Sequence, residues 1–164
     1  IIDNSIDFIV LNDVIEHIPN TKIMFDEIYR VLKVGWKVFY NFAPYYEVFW
    51  HHLWDTLPIP WLHCFTTEKF RIKLYKESVK NLPDWQKRLN LRIWKTDYGK
   101  ESFTYLNRIT RKKYMQIRQE LINLDKFEVI YEKHNMLKNM SFLEKIPVLN
   151  ELFSRLYVWV WMKK

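Results

Sequence analysis

IDFIVLNDVIEHIPNTKIMFDEIYRVLKVGWKVFYNFAPYY, residues 6–46, decides how the rest of this chain is read. Phe8-Ile9-Val10-Leu11 is a short apolar run rich in β-branched residues, as suits a strand buried on both faces of a parallel sheet. It stops at the polar pair Asn12-Asp13, and residues 13–20 read as a loop or short turn ending on Pro19-Asn20. A helix is expected over about 21–33. Asn20 or Thr21 offers a capping oxygen, and Met24, Ile28, Val31 and Leu32, widened by Phe25, recur on one side. Asp26 and Glu27 sit early and Arg30 and Lys33 late, which complements the helix dipole. Gly35 reads as the glycine that ends the helix, and Lys37 to Phe42 as a returning strand. Strand, crossover helix and strand in this order imply parallel pairing and a right-handed connection, hence an α/β fold.

Beyond this unit the alternation breaks. Pro44, Pro58 and Pro60 interrupt an aromatic stretch, and residues 44–106 read as an α-rich excursion of the kind that caps an active site. Within it, Thr66 or Thr67 caps a helix beginning near Glu68, with Ile72, Tyr75, Val79 and Leu82 on one face. Pro83-Asp84 and Tyr98-Gly99-Lys100 are turns, and the Leu89, Leu91, Ile93 alternation leaves helix and strand both open. Thr110 then caps a helix over about 111–123, burying Tyr114, Ile117, Leu121 and Leu124. A strand is expected over 127–132, a short helix broken at Pro147 over 142–153, and a final strand over 155–162. In that last strand Leu156, Val158 and Val160 alternate with Tyr157, Trp159 and Trp161.

Composition bounds the function. The 164 residues are 49% hydrophobic and 18% aromatic, enough for a packed core. No apolar run reaches the ~20 residues that span a bilayer, the opening Ile1-Ile2 shows no basic or apolar leader pattern, and a cytoplasmic location is the expectation. One cysteine, Cys64, excludes an internal disulfide and a cysteine-based zinc site. With two glycines, Gly35 and Gly99, no G-x-G-x-x-G phosphate loop exists in the chain. The net charge of +7 is concentrated: residues 69–118 carry 15 basic and 4 acidic groups, whereas residues 1–62 carry 4 and 8. A block of this kind suits solvated helix faces, an anionic membrane, a phosphate-bearing substrate or nucleic acid.

The order of residues at the start resembles the second half of a class I S-adenosylmethionine-dependent methyltransferase, nearest in pattern to the small-molecule branch that includes quinone-biosynthesis enzymes. The resemblance rests on Asp7-Phe8-Ile9-Val10, then Glu16-His17-Ile18-Pro19-Asn20, then Glu27-Ile28-Tyr29-Arg30-Val31-Leu32-Lys33 and the turn at Gly35. Val34 and Trp36 stand where that family usually has proline and a second glycine, so Trp36 is expected to take an ordinary φ. The likeness implies a partial Rossmann-like fold, strands four to seven of seven, with the last strand inserted antiparallel. Residues 1–164 would then form one incomplete methyltransferase domain, with 44–106 as a cap insertion. The glycine loop would come from polypeptide outside these residues, and the chain alone would bind the cofactor weakly or not at all and be inactive.

The resemblance further implies S-adenosylmethionine as cofactor, with Leu11, Asn12, Asp13 and Val14 at its methionine end. Ligands in open α/β sheets lie beyond the carboxyl ends of the strands, which is where these residues fall. His17 is a candidate base for a hydroxyl nucleophile. His51 and His52, among Tyr45, Tyr46, Trp50 and Trp54, are candidates for an aromatic substrate pocket. Their spacing, with His63 and Asp55 nearby, matches no metal motif, so no metal is expected. The expected partner is a small or lipid-like acceptor. Peripheral contact with an anionic membrane fits the basic segment, whereas nucleic acid is disfavoured because no known motif accompanies the charge. A second reading takes the chain as a non-catalytic binding or scaffold protein that holds an anionic membrane or nucleic acid through residues 69–118, with binding that weakens steeply with salt.

Overall fold

The computed structural model describes residues 1–103 and 106–164; Thr104 and Tyr105, part of the expected 44–106 excursion, lie outside the described residues. The chain divides into two compact units, Ile1–Glu47 with Asn107–Lys164, and Val48–Leu106.

The first unit is a mixed α/β layer structure. Strand β1 (Ile6–Asn12) leads through a 3-10 turn (Ile15–His17) to helix α1 (Thr21–Val31) and strand β2 (Leu32–Phe42). Asn20 caps α1, its side-chain oxygen accepting the Ile23 N–H at 3.1 Å. β1 and β2 pair in parallel, as strand–helix–strand connectivity requires. α1 ends at Val31, two residues before the expected end, and Leu32 already has extended backbone. Gly35 is therefore not a helix cap. It sits inside β2 at φ +78, in the stretch where the register jumps from Ile6↔Leu32 to Phe8↔Lys37. The extra β2 residues there loop out of the ladder, and only glycine takes that φ without strain. Trp36 is absent from the positive-φ residues, as expected.

Two further strands complete the sheet, β5 (Phe127–Met136) and β6 (Ser154–Lys163), after helix α5 (Arg111–Asn123). The strand order is β1-β2-β6-β5, with β6 antiparallel to both neighbours. The expected helix over 142–153 is split into a 3-10 turn, Ser141–Lys145, and a single turn α6, Leu149–Leu152, on either side of Pro147. β5 runs four residues past the expected end, because Lys133 to Met136 continue to pair with β6.

One face of the sheet carries the core. Val38, Tyr40 and Phe42 of β2 and Tyr157, Trp159 and Trp161 of β6 are buried against Phe25 and Ile28 of α1 and Tyr114 and Leu121 of α5. Of the alternating sets in β6, the aromatic one faces the core. The Tyr40 and Tyr114 hydroxyls bond each other within this apolar layer, and Arg118 lies 5.2 Å above the Trp159 ring while pairing with Glu132. Both long helices cover the same face. The opposite face leaves Phe8 53% and Val10 57% exposed, so β1 is not buried on both sides as its composition suggests. Leu124, expected on the buried face of α5, falls beyond the last helical turn and is exposed.

The second unit holds α2 (Leu62–Phe65), α3 (Glu68–Val79), α4 (Trp85–Arg92) and a hairpin of β3 (Ile93–Lys95) and β4 (Glu101–Phe103). Thr67 caps α3 through the Phe70 N–H. Ile72, Tyr75 and Val79 are buried on its inner face. The ambiguous 89–93 segment resolves as the end of α4 followed directly by β3, and Gly99 turns the hairpin at φ +72. A small separate core forms from Leu53, Leu57, Leu62, Tyr75 and Val79. No helix among the described residues is long and apolar enough to cross a membrane.

Candidate functional site

The carboxyl ends of the two parallel strands build a polar knot. Asn12 of β1 and Asn41 of β2 are register partners. The Asn41 amide donates to Asn12 Oδ1 at 2.7 Å, and its carbonyl oxygen accepts the Asp13 N–H at 2.9 Å. Asn12 Nδ2 in turn donates to Asp13 Oδ2 at 3.1 Å. Asp13 holds φ +51, a region that aspartate tolerates better than most residues. The buried Asn41 side chain thus turns the chain at Asp13 and leaves the Asp13 carboxylate on the surface just past the strand ends. Asn41 was not among the expected site residues, although a lone asparagine in the apolar run VFYNF is the signal that could have found it.

The loop then tightens. The His17 N–H donates to the Val14 carbonyl at 2.9 Å, closing the 3-10 turn that buries Ile15 and Glu16 and exposes His17. Asn107 clamps the turn from the other side. Its backbone N–H donates to the Glu16 carbonyl at 2.6 Å, and its side-chain amide donates to the Ile15 and Ile18 carbonyls. Asn107 is buried and was also missed, because its sequence neighbourhood carries no periodic pattern. Leu11, Asn12, Asp13, Val14 and His17 therefore come together on one braced loop.

Glu16 is the unusual member. It is 1% exposed, and its Oε2 has no hydrogen-bond partner among the described residues. Burial raises its carboxyl pKa to about 7; its own backbone N–H opposes this, and the charge of Asp13 adds to the rise. A carboxyl shifted this far beside a strand-end loop is the pattern found at functional sites, although structural burial produces it too.

His51 and His52 belong to the second unit. His51 is buried, its Nδ1 accepting the Leu53 N–H at 3.1 Å and its Nε2 donating to the Ile59 carbonyl at 3.2 Å. Both ring nitrogens are therefore taken by backbone, and burial lowers its pKa, keeping the ring neutral. In this conformation His51 braces the 51–59 turn and has no nitrogen left for proton transfer. His52 stands at φ +56 with its ring edge-on to Trp50, the centroids 6.4 Å apart. Tyr45 and Tyr46 fall in the first unit and Trp50 and Trp54 in the second, so the aromatic constellation is not one element of structure. Asp55 pairs with Arg88 at 2.8 Å. Among the described residues no group of three His, Cys, Asp or Glu side chains gathers as a metal cluster. The basic block is likewise divided, residues 69–103 lying in the second unit and 107–118 in the first.

Replacing Asn41 with Leu is expected to destabilise the protein by about 1–3 kcal/mol, since the part-buried Asp13 N–H and the Asn12 side chain both lose their partner. Urea unfolding measures the loss, and a change under ~0.5 kcal/mol would mean that the knot does not hold the loop.

Residues 1–39 match the family model described as a methyltransferase domain, a stretch that spans β1, its loop, α1 and most of β2. No curated protein matches the chain. Among solved structures, a SAM-dependent methyltransferase of Methanosarcina mazei is 18% identical with a TM-score of 0.45, the match covering 98% of this chain and 60% of that one. A Haemonchus contortus phosphoethanolamine N-methyltransferase 2, solved with S-adenosyl-L-methionine, is 15% identical with a TM-score of 0.42, covering 98% of this chain and 34% of that one. The chain thus spans less than two thirds of the length of either structure.

Proposed function

We propose that this chain forms the strand-four-to-seven part of an S-adenosylmethionine-dependent methyltransferase domain that acts on a small or lipid-like acceptor. The observation that carries the reading is the sheet itself. Two parallel strands joined by a crossover helix are followed by an antiparallel strand inserted between β2 and β5, in the order β1-β2-β6-β5. In this reading β1, β2, β5 and β6 are strands four, five, six and seven. The methyltransferase signature in residues 1–39 falls on the first two. The open face at Phe8 and Val10 and the free edge of β1 are where the remaining strands and helices of such a domain would stand.

The residues present fit the donor. S-adenosylmethionine carries an ammonium and a sulfonium, and the β1 loop presents the Asp13 carboxylate, an anionic acceptor fixed by Asn12 and Asn41. When bound, the cofactor supplies an activated methyl group on a positive sulfur. Asn12 and Asp13 bind and orient the methionine end, with Leu11 and Val14 forming the apolar side of the same loop. His17, exposed at the end of the braced turn, takes the proton that an acceptor hydroxyl or amine releases. No role in transfer is assigned to His51.

Titration of isotopically labelled protein with S-adenosylmethionine, followed by amide chemical shifts, tests this directly and registers weak binding. Shifts are expected at Asn12, Asp13, Val14 and His17, and reduced shifts in Asn41→Leu. Perturbation confined to other parts of the chain would end the reading.

A further inference from the structure

The second unit carries a cluster of lysines beside exposed aromatic rings. A groove of about 670 Å³ runs between α3 and β4, and its carboxylates are already engaged. Glu101 holds Lys76 through both oxygens at 2.6 Å, Glu77 pairs with Lys80, and Glu68 accepts the Ser102 hydroxyl at 2.7 Å and the Phe103 N–H at 2.9 Å. Lys69, Lys73 and Lys100 line the same groove and have no ion pair among the described residues. Lys69 and Lys73 are four apart on α3 and so share a face.

Phe65, at the end of α2, is 82% exposed, and Phe70, in the first turn of α3, is 52% exposed. Their exposure belongs to a built corner. The Arg71 guanidinium donates to the Thr66 carbonyl at 2.6 Å and the His63 carbonyl at 3.3 Å, tying α2 to α3. Trp94, 61% exposed, is the register partner of Ser102, whose hydroxyl reaches Glu68 at the start of α3. Glu101 and Phe103, on either side of Ser102, are the residues whose side chains meet Lys76 and Tyr75 of α3, so Trp94 stands on the other face of the hairpin and takes no part in the corner.

We infer that this corner docks onto an anionic phospholipid membrane, with Lys69, Lys73 and Lys100 at the headgroups and Phe65 and Phe70 in the acyl boundary. Three lysines beside apolar rings have the charge and the amphipathic character that an anionic bilayer surface recognises. Lysine stems extend along apolar surface while the ammonium stays in water, so the same side chains serve both layers. A nucleic-acid strand is better held by forked guanidinium donors and a track of stacking rings. The arginines here are already occupied, Arg71 by carbonyls and Arg88 by Asp55 and Asp84. The inference is independent of the methyl-transfer reading.

Co-sedimentation of the purified protein with vesicles tests it, comparing phosphatidylcholine alone with vesicles containing about one-third phosphatidylserine. The protein is expected to partition onto the anionic vesicles and to release at high salt. Lys69→Glu with Lys73→Glu, and separately Phe65→Ser with Phe70→Ser, are each expected to weaken partitioning about tenfold or more. All four side chains are exposed, and circular dichroism verifies that the variants fold. Equal affinity for both vesicle types, or wild-type partitioning by either folded variant, would overturn the inference. So would release by inorganic phosphate beyond that caused by chloride of equal ionic strength, which would mark a free-anion pocket. Binding of a single-stranded RNA oligomer without vesicle binding would assign the surface to nucleic acid instead.

Discussion

Lys163→Met is expected to lower the free energy of unfolding by about 3 kcal/mol, summing the loss at one buried and two part-buried acceptors. Lys163 lies at the end of β6 and is 5% exposed. Its ammonium donates to the Asn4 side-chain oxygen at 2.6 Å, the Tyr29 carbonyl at 2.6 Å and the Leu32 carbonyl at 2.9 Å, which uses all three of its protons. It also sits 4.4 Å from the centre of the Tyr29 ring. Tyr29 and Leu32 contribute carbonyls from the C-terminal end of α1, where a helix concentrates negative potential. One side chain thus binds the leading segment, the crossover helix and the last strand. Burial holds its pKa below the ordinary lysine value, opposed by the charge of Asp3. Methionine keeps most of the stem and removes the donors, so the effect reads the hydrogen bonds rather than lost packing. Guanidinium unfolding of the variant measures it. Lys126→Met is the control, since Lys126 reaches the same Tyr29 ring from a more open position, paired with Asp26. A Lys163 effect no larger than that of Lys126 would show that the buried ammonium is not a tie.

Glu16→Gln is expected to stabilise the protein by about 3 kcal/mol above pH 7 and to have little effect near pH 4, at 1.36 kcal/mol per pKa unit. The sign follows from linkage. The folded carboxyl has a pKa of about 7, above the ordinary glutamate value of 4.5. Below the lower value both states are protonated and the burial has no charge to penalise. Between the two values the unfolded chain releases its proton while the folded protein holds one, so stability falls as pH rises. Above the folded value the full penalty is present. Glutamine has the same shape and never ionises, so the difference between wild type and variant, measured by urea unfolding from pH 4 to 8, isolates this one group. A difference that is flat across that range would show that Glu16 ionises freely in the folded protein.

The expectations drawn from sequence held where local chemistry decides. Asn20, Thr67 and Thr110 cap helices because a side-chain oxygen three residues before a free N–H needs no distant partner. The parallel pairing of β1 with β2 followed from the length of the connection between them. Expectations failed where a distant partner decides. Gly35 carries the generic mark of a helix end, yet its position was set by how β2 aligns with β1, a pairing invisible to either segment alone. The candidate loop was legible through its motif, whereas Asn41 and Asn107, which hold it, come from 28 residues away from Asp13 and 92 away from Ile15. His51 looked like chemistry because histidine often is, and only its two backbone contacts reveal a brace.

Alternation and capping, which act over a few residues, were enough to establish an α/β chain, its crossover helix and the strand that ends at Asn12. Three-dimensional packing alone decided that the aromatic set of β6 forms the core and that Phe8 and Val10 face outward. It also made Lys163, one residue past the expected end of the last strand, an interior tie. The reason is that burial is a property of what lies opposite a side chain, and the residues opposite these are supplied by segments far away along the chain.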